Sequence, residues 1–204
     1  MMKPLVLASQ SPRRKSLLES AGITVLTAPA DTAEEVRAED SAENNTLRIA
    51  REKATAIAPR FSGSVVLAAD TTVVLPAAAN TLPLGQPVSD GVLLGKPKDR
   101  EHLKAMLEGL SGRTHIVYTA FVLIGSSGQI AHEEVVSTEV SLLPLTERDL
   151  SLLLDSGDGI DKAGGYGIQG PTGFFIDRIS GSYTCVQGLP LPQVLQALRT
   201  IGVW

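Results

Sequence analysis

Two spacings of hydrophobic positions alternate along this chain. Short continuous apolar runs of strand length occur at Leu5 to Ala8, at Thr24 to Ala28 and at Ser64 to Ala69, and the last resumes after Asp70-Thr71-Thr72 as Val73-Val74-Leu75. Continuous runs of this length are what strands buried on both faces look like. Between them, apolar residues recur every three or four positions. Pro12 to Ala21 reads as a helix, with Ser11 as its cap and Gly22 as its stop. Ser41 caps a second helix to about Ala58, with Leu47, Ala50, Ala54, Ile57 and Ala58 on one face and Pro59 ending it. Lys53 lies in its second half, where a lysine is usually wet surface. Asp99 caps a third helix whose Leu103, Met106, Leu107 and Leu110 form a core stripe.

In the second half of the chain, Thr114 to Ile124 predicts a long strand, Ser126-Ser127-Gly128 a hairpin turn, and Ile130 to about Leu143 its partner. Glu133, Glu134 and Glu139 give that partner a wet face. Thr146-Glu-Arg-Asp149 has the spacing of a capping box, and Gly157 ends the helix it opens. Phe174 to Ile179 reads as a strand, Tyr183 to Val186 as a short final one, and Pro192 opens a last helix. Strands alternating with helices, plus one hairpin, predict an α/β fold with a mixed, twisted sheet and flanking helices. One domain over residues 1–204 suits the length; the Ala-, Pro- and Gly-rich stretch from about residue 76 to 94 reads as an insertion-like flexible loop or long hairpin tip.

Composition narrows the function classes. Hydrophobic residues make up 43% of the chain and charged residues 20%, which excludes a disordered or fibrous protein. A net charge of −4 argues against nucleic-acid or anionic-membrane partners held by bulk attraction. No stretch approaches a membrane span, and Pro12-Arg13-Arg14-Lys15 interrupts any N-terminal signal pattern. The one cysteine, Cys185, cannot form an internal disulfide, which fits a reducing compartment, most simply the cytoplasm.

Because the chain is acidic, any anion site must come from local placement of cations. Ser9-Gln10-Ser11-Pro12-Arg13-Arg14 joins a strand to a helix start, where free N–H groups, the helix dipole and two guanidinium forks make an anion socket, unless both arginines merely decorate a solvated helix end. Asp70 follows a buried apolar run and reads as an acid at a strand end, able to hold a metal, activate water or simply cap a turn. Gly95-Lys96-Pro97 displays a lysine on a stiffened turn. Asp31 to Asp40, with Glu34 and Glu35, is either solvated surface or a metal-ligating loop beside the socket. Asp161-Lys-Ala-Gly-Gly-Tyr-Gly-Ile-Gln-Gly170 lets backbone approach a ligand closely, with Tyr166 as a stacking face and Gln169 as a two-way amide. His115 and His132 lack metal-ligand spacing and read as ordinary strand histidines.

Taken together, Ser9-x-Ser-Pro-Arg-Arg14, Ala69-Asp-Thr71, Gly95-Lys-Pro97 with Ser111-Gly-Arg-x-His115, and Asp161 to Gly170 resemble the signatures of the Maf family of nucleoside triphosphate pyrophosphatases, in order and over nearly the whole chain. The resemblance implies an inosine triphosphate pyrophosphatase-like fold with two lobes around a cleft. It implies hydrolysis of a nucleotide between its α and β phosphates with a divalent cation, Mg²⁺ or Mn²⁺. It makes Asp70 the proton acceptor, places Arg13, Thr71 and Gln169 at specificity positions, and brings Glu34, Lys53 and Lys96 into the site; the residues themselves offer Glu34 and Asp70 as metal ligands and Ser9 and Arg14 as substrate contacts. Tyr-Gly-Ile-Gln-Gly resembles the branch acting on dTTP and UTP rather than the one acting on 7-methyl-GTP. A homodimer is implied by the resemblance alone. So is a competing class, a nucleotide-binding regulator of cell division and septum formation without turnover.

Overall fold

The computed structural model describes residues 5–76 and 84–204. In chain order the elements are β1 (Leu5–Leu7), α1 (Pro12–Ser20), β2 (Val25–Thr27), α2 (Ala42–Ile57), β3 (Val66–Pro76), β4 (Gln86–Val88), β5 (Gly91–Leu94), α3 (Arg100–Leu110), β6 (Thr114–Ile124), β7 (Ile130–Leu142), α4 (Glu147–Ser156), β8 (Ile176–Gly181), α5 (Tyr183–Val186) and α6 (Leu191–Thr200). Local chemistry explains most of the boundaries. Ser11, Ser41 and Asp99 each accept a backbone N–H at the start of a helix. Thr146 and Asp149 complete a reciprocal capping box, and Gly157 closes that helix in the left-handed conformation at φ 64°.

One mixed sheet runs β2-β1-β3-β6-β7-β8, with the β4–β5 hairpin attached beside β3. β1 is parallel to β2 and β3, and the remaining pairs are antiparallel. β3 is the hub, and its pleat sends side chains alternately to two cores. Val66 and Ala68 pack with Ala50, Ala54 and Ile57 of α2. Leu67 and Ala69 pack with Leu18 of α1 and with Val194, Ala197 and Leu198 of α6. Val73 and Leu75 join the α3 and α4 leucines in a third cluster.

The two neighbours on one edge of β3 do not meet. Pairing with β1 ends at Leu7↔Leu67, and pairing with β5 begins only at Val73↔Leu94, while β6 fills the opposite edge from Val66 to Val74. Residues 68–72 therefore border an opening in the sheet. Ligands favour such openings because backbone and side-chain groups are presented there without a strand in the way.

Several boundaries differ from the sequence expectation. Asp70 sits inside an eleven-residue strand rather than at its end, because the pleat carries the chain past it without a turn. The second α-helix ends at Ile57, just before Pro59 as expected, and the backbone then passes into a 3₁₀ turn over Ala58–Phe61, whose early positions tolerate proline. Residues 183–186 form a short helix capped by Ser182, not a strand. Pro171–Phe175 is a 3₁₀ turn, and the strand begins at Ile176. Within the stretch read as a flexible loop, residues 84–94 include the β4–β5 hairpin, while residues 77–83 lie outside the described residues.

Candidate active site

The site begins with a lysine that periodicity places on the apolar face of α2. Lys53 lies one turn beyond Ala50, so its stem enters the layer between α2 and β3 and it is only 8% exposed. Its ammonium meets Asp70 Oδ1 at 2.7 Å and Glu34 Oε1 at 2.6 Å. Asp70 is 6% exposed. Burial raises its carboxyl pKa, against the opposing pull of Lys53 and Arg14. Beside the pair, the buried Thr46 and Thr72 hydroxyls meet at 2.6 Å and tie α2 to β3. Glu34 is half-exposed, but its loop is held by α2: Asn45 accepts the Arg37 N–H at 2.8 Å and returns a bond to the Arg37 carbonyl at 2.9 Å, and Arg48 donates to the Glu35 carbonyl.

The β1–α1 turn supplies the next wall. Ser9 Oγ accepts the Ser11 N–H and Arg14 Nη1, each at 3.1 Å. Arg14 also donates from Nε to the Gly188 carbonyl at 2.7 Å and from Nη2 to Thr71 Oγ1 at 3.1 Å. Each of its three nitrogens is thus engaged within the protein, and desolvation lowers its pKa. Arg13 is freer; its nearest carboxylate, Asp161, is 3.8 Å away. The two arginines expected to act as one socket are therefore unlike.

The glycine-rich stretch closes the site. The Gly164 N–H donates to the Gly95 carbonyl at 3.0 Å, which joins this stretch to the turn presenting Lys96. Gly164 and Gly165 take φ values of 72° and 74°, and a Cβ on Gly164 would lie 2.9 Å from Val73 Cγ2. Tyr166 does not offer the open stacking face expected of it. Its side chain is buried and its hydroxyl is 2.6 Å from Nε2 of the fully buried His115. Burial depresses the His115 pKa to about 4 and raises that of Tyr166. His115 is a core strand histidine, as read from its isolation, and His132 stacks on Phe121.

Ser9, Arg13, Arg14, Glu34, Lys53, Asp70, Thr71, Lys96 and Gln169 all line one cavity of about 830 Å³, within the size range of small-molecule sites. Asp70 and Thr71, adjacent in β3, reach it from opposite faces of the sheet, since both sides open where residues 68–72 lack a strand neighbour on one edge. Lys162, Asp158 and Gly188 also line it and had not been singled out. Lys162 was visible within the quoted glycine-rich stretch; nothing local marked Gly188. Among the described residues no group of three or more His, Cys, Asp or Glu is placed to hold a metal ion. Glu34 and Asp70 converge instead on the Lys53 ammonium, and are the two carboxylates here that could hold a divalent cation. No helix among the described residues is long and apolar enough to cross a membrane.

The chain is 44% identical over 201 residues to the dTTP/UTP pyrophosphatase of Myxococcus xanthus, covering 98% of this chain and 93% of that protein. It is 40% identical over 202 residues to the dTTP/UTP pyrophosphatase of Symbiobacterium thermophilum, covering 98% and 95%. Among solved structures it resembles a HAM1 protein from Coxiella burnetii at 15% identity and a TM-score of 0.49, covering 98% of this chain and 100% of that one; that likeness is too distant to bear on function. The family model of Maf-like proteins matches residues 4–201, so the chain belongs to the Maf family.

Proposed function

We propose that this protein hydrolyses dTTP and UTP between the α and β phosphates, releasing the nucleoside monophosphate and pyrophosphate. The observation that carries the reading is the buried Asp70–Lys53 pair, joined by the half-exposed Glu34, opening into the same cavity as Arg13, Lys96 and Ser9. Relatives named dTTP/UTP pyrophosphatase, 38–44% identical over nearly the full length, support the substrate class.

Asp70 takes a proton from the water that attacks the α-phosphate, and its burial-raised pKa makes it a stronger base than an ordinary carboxylate. Lys53 holds that carboxylate in place. Arg13 and Lys96 neutralise the departing pyrophosphate. Glu34 and Asp70 would hold a divalent cation, Mg²⁺ or Mn²⁺, which would supply positive charge to the reacting phosphates. Gln169, whose amide offers a donor and an acceptor, reads the pyrimidine edge together with Thr71.

The test is pyrophosphate release from dTTP, UTP, CTP and 7-methyl-GTP, with and without divalent cation. Release from dTTP and UTP that disappears on chelation is expected, and Asp70→Asn lowers it by orders of magnitude while the far-ultraviolet dichroism is unchanged. Near-wild-type turnover by Asp70→Asn would remove Asp70 from the chemistry. Saturable nucleotide binding without product would favour a regulator over an enzyme.

A further inference from the structure

Two hydroxyls at the cavity are wired in opposite senses by groups behind them. A serine or threonine hydroxyl has one proton to give and two lone pairs to receive. Ser9 Oγ receives two donors, the Ser11 N–H and Arg14 Nη1. Both lone pairs are occupied, so only its proton remains for a ligand. Thr71 Oγ1 receives Arg14 Nη2 at 3.1 Å and lies 3.0 Å from Thr119 Oγ1. Thr119, fully buried, gives its own proton to the Cys185 carbonyl at 2.8 Å, and a carbonyl can only accept. Thr119 therefore accepts from Thr71. The other neighbour of Thr71, the Gly188 carbonyl at 3.5 Å, also only accepts. On either route the Thr71 proton stays inside the protein, and one lone pair is left without a donor on a residue that lines the cavity.

We infer that Arg14 and Thr119 are positioning residues that set hydroxyl polarity: Ser9 is turned into a pure donor suited to a phosphate oxygen, and Thr71 into a pure acceptor suited to an imide N–H. Uracil and thymine carry such an N–H on the ring nitrogen between their two carbonyls. Cytosine has a bare acceptor at that nitrogen, and two acceptors facing each other cannot bond. Discrimination against cytosine thus originates partly in Arg14 and Thr119, neither of which needs to touch the base. The inference rests on the proposed reaction and names how its substrate is chosen.

The experiment measures kcat and KM for UTP and CTP by pyrophosphate release in the wild type, Thr119→Val, Thr119→Ser and Arg14→Lys. Thr119→Val keeps the shape but removes the acceptor, so the Thr71 hydroxyl can turn its proton outward. The UTP-over-CTP ratio of kcat/KM is expected to fall about tenfold, the scale of one misdirected hydrogen bond, mainly through KM. Thr119→Ser restores the ratio. Arg14→Lys, which cannot reach three acceptors in a fork, lowers the ratio in the same direction. Equal KM increases for UTP and CTP in Arg14→Lys, with the ratio within about twofold of wild type in both Arg14→Lys and Thr119→Val, would make Arg14 a phosphate ligand and overturn the inference. A wild type that releases pyrophosphate from UTP and CTP equally well overturns it too, while leaving the proposed reaction standing. A wild type that releases none from UTP or dTTP overturns both.

Discussion

His115 should make this fold acid-sensitive by an amount that can be worked out. It is fully buried on β6, and desolvation holds its pKa near 4 in the folded chain. The unfolded chain returns it to an ordinary value of about 6.5. Between those values the unfolded state carries a proton that the folded state lacks, so stability rises with pH in this window and is lost as pH falls from about 6.5 through 4. A gap of about 2.5 pH units at roughly 1.4 kcal/mol per unit corresponds to about 3 kcal/mol, most of it gone by about pH 4.5. Such a loss is a large share of the ~5–15 kcal/mol typical of a domain. Carboxylates titrate in the same range, so the assay is a comparison: urea unfolding of wild type and His115→Gln at pH 7 and pH 4.5. The glutamine keeps a hydrogen-bonding amide near Tyr166 and cannot titrate. Wild type should lose about 2.5 kcal/mol more than the variant on acidification. A difference between the two proteins that stays constant with pH would refute the reasoning.

The remaining predictions concern the site and its supports. Lys53→Met leaves the buried Asp70 without its nearest cation, so its already raised pKa climbs and the acid limb of the kcat/KM profile moves up by about one pH unit or more; an unmoved limb counts against Asp70 as the base. Gly164→Ala forces an L side chain into φ 72° against Val73 and should cost about 1–3 kcal/mol in thermal unfolding, and an unchanged Tm would show that the turn can relax freely. Arg51→Ala removes an ion pair with Glu133 that joins α2 to β7 at a partly exposed position, so urea unfolding should change by less than about 1 kcal/mol, and a larger loss would mean the pair is better shielded than its exposure implies.

Element types were largely legible because they follow from local rules. Ser11, Ser41, Asp99 and Thr146 announced helix starts, and all four caps form as read. Failures fell where two conformations have similar local cost. Residues 183–186 carry β-prone side chains, yet the cap at Ser182 and packing against β6 and β7 make them a helix turn. Asp70 was expected at a strand end because the apolar run stops there, and a buried acid needs a partner; the lysine that partners it comes from another element, and no window along β3 contains it.

By itself, the amino-acid order determined most of the helix and strand segments, that the sheet is mixed, and which short motifs carry charge. Only the tertiary structure decided that Lys53 is buried rather than wet, that Tyr166 is spent on His115, and that Arg13 and Arg14, neighbours in sequence, have different partners. The reason is physical: caps and periodicity act over a few residues, whereas burial and hydrogen-bond direction depend on what other segments bring. The opening beside residues 68–72 exists because β1 stops and β5 starts on the same edge of β3, and that gap lets both faces of one strand serve one cavity.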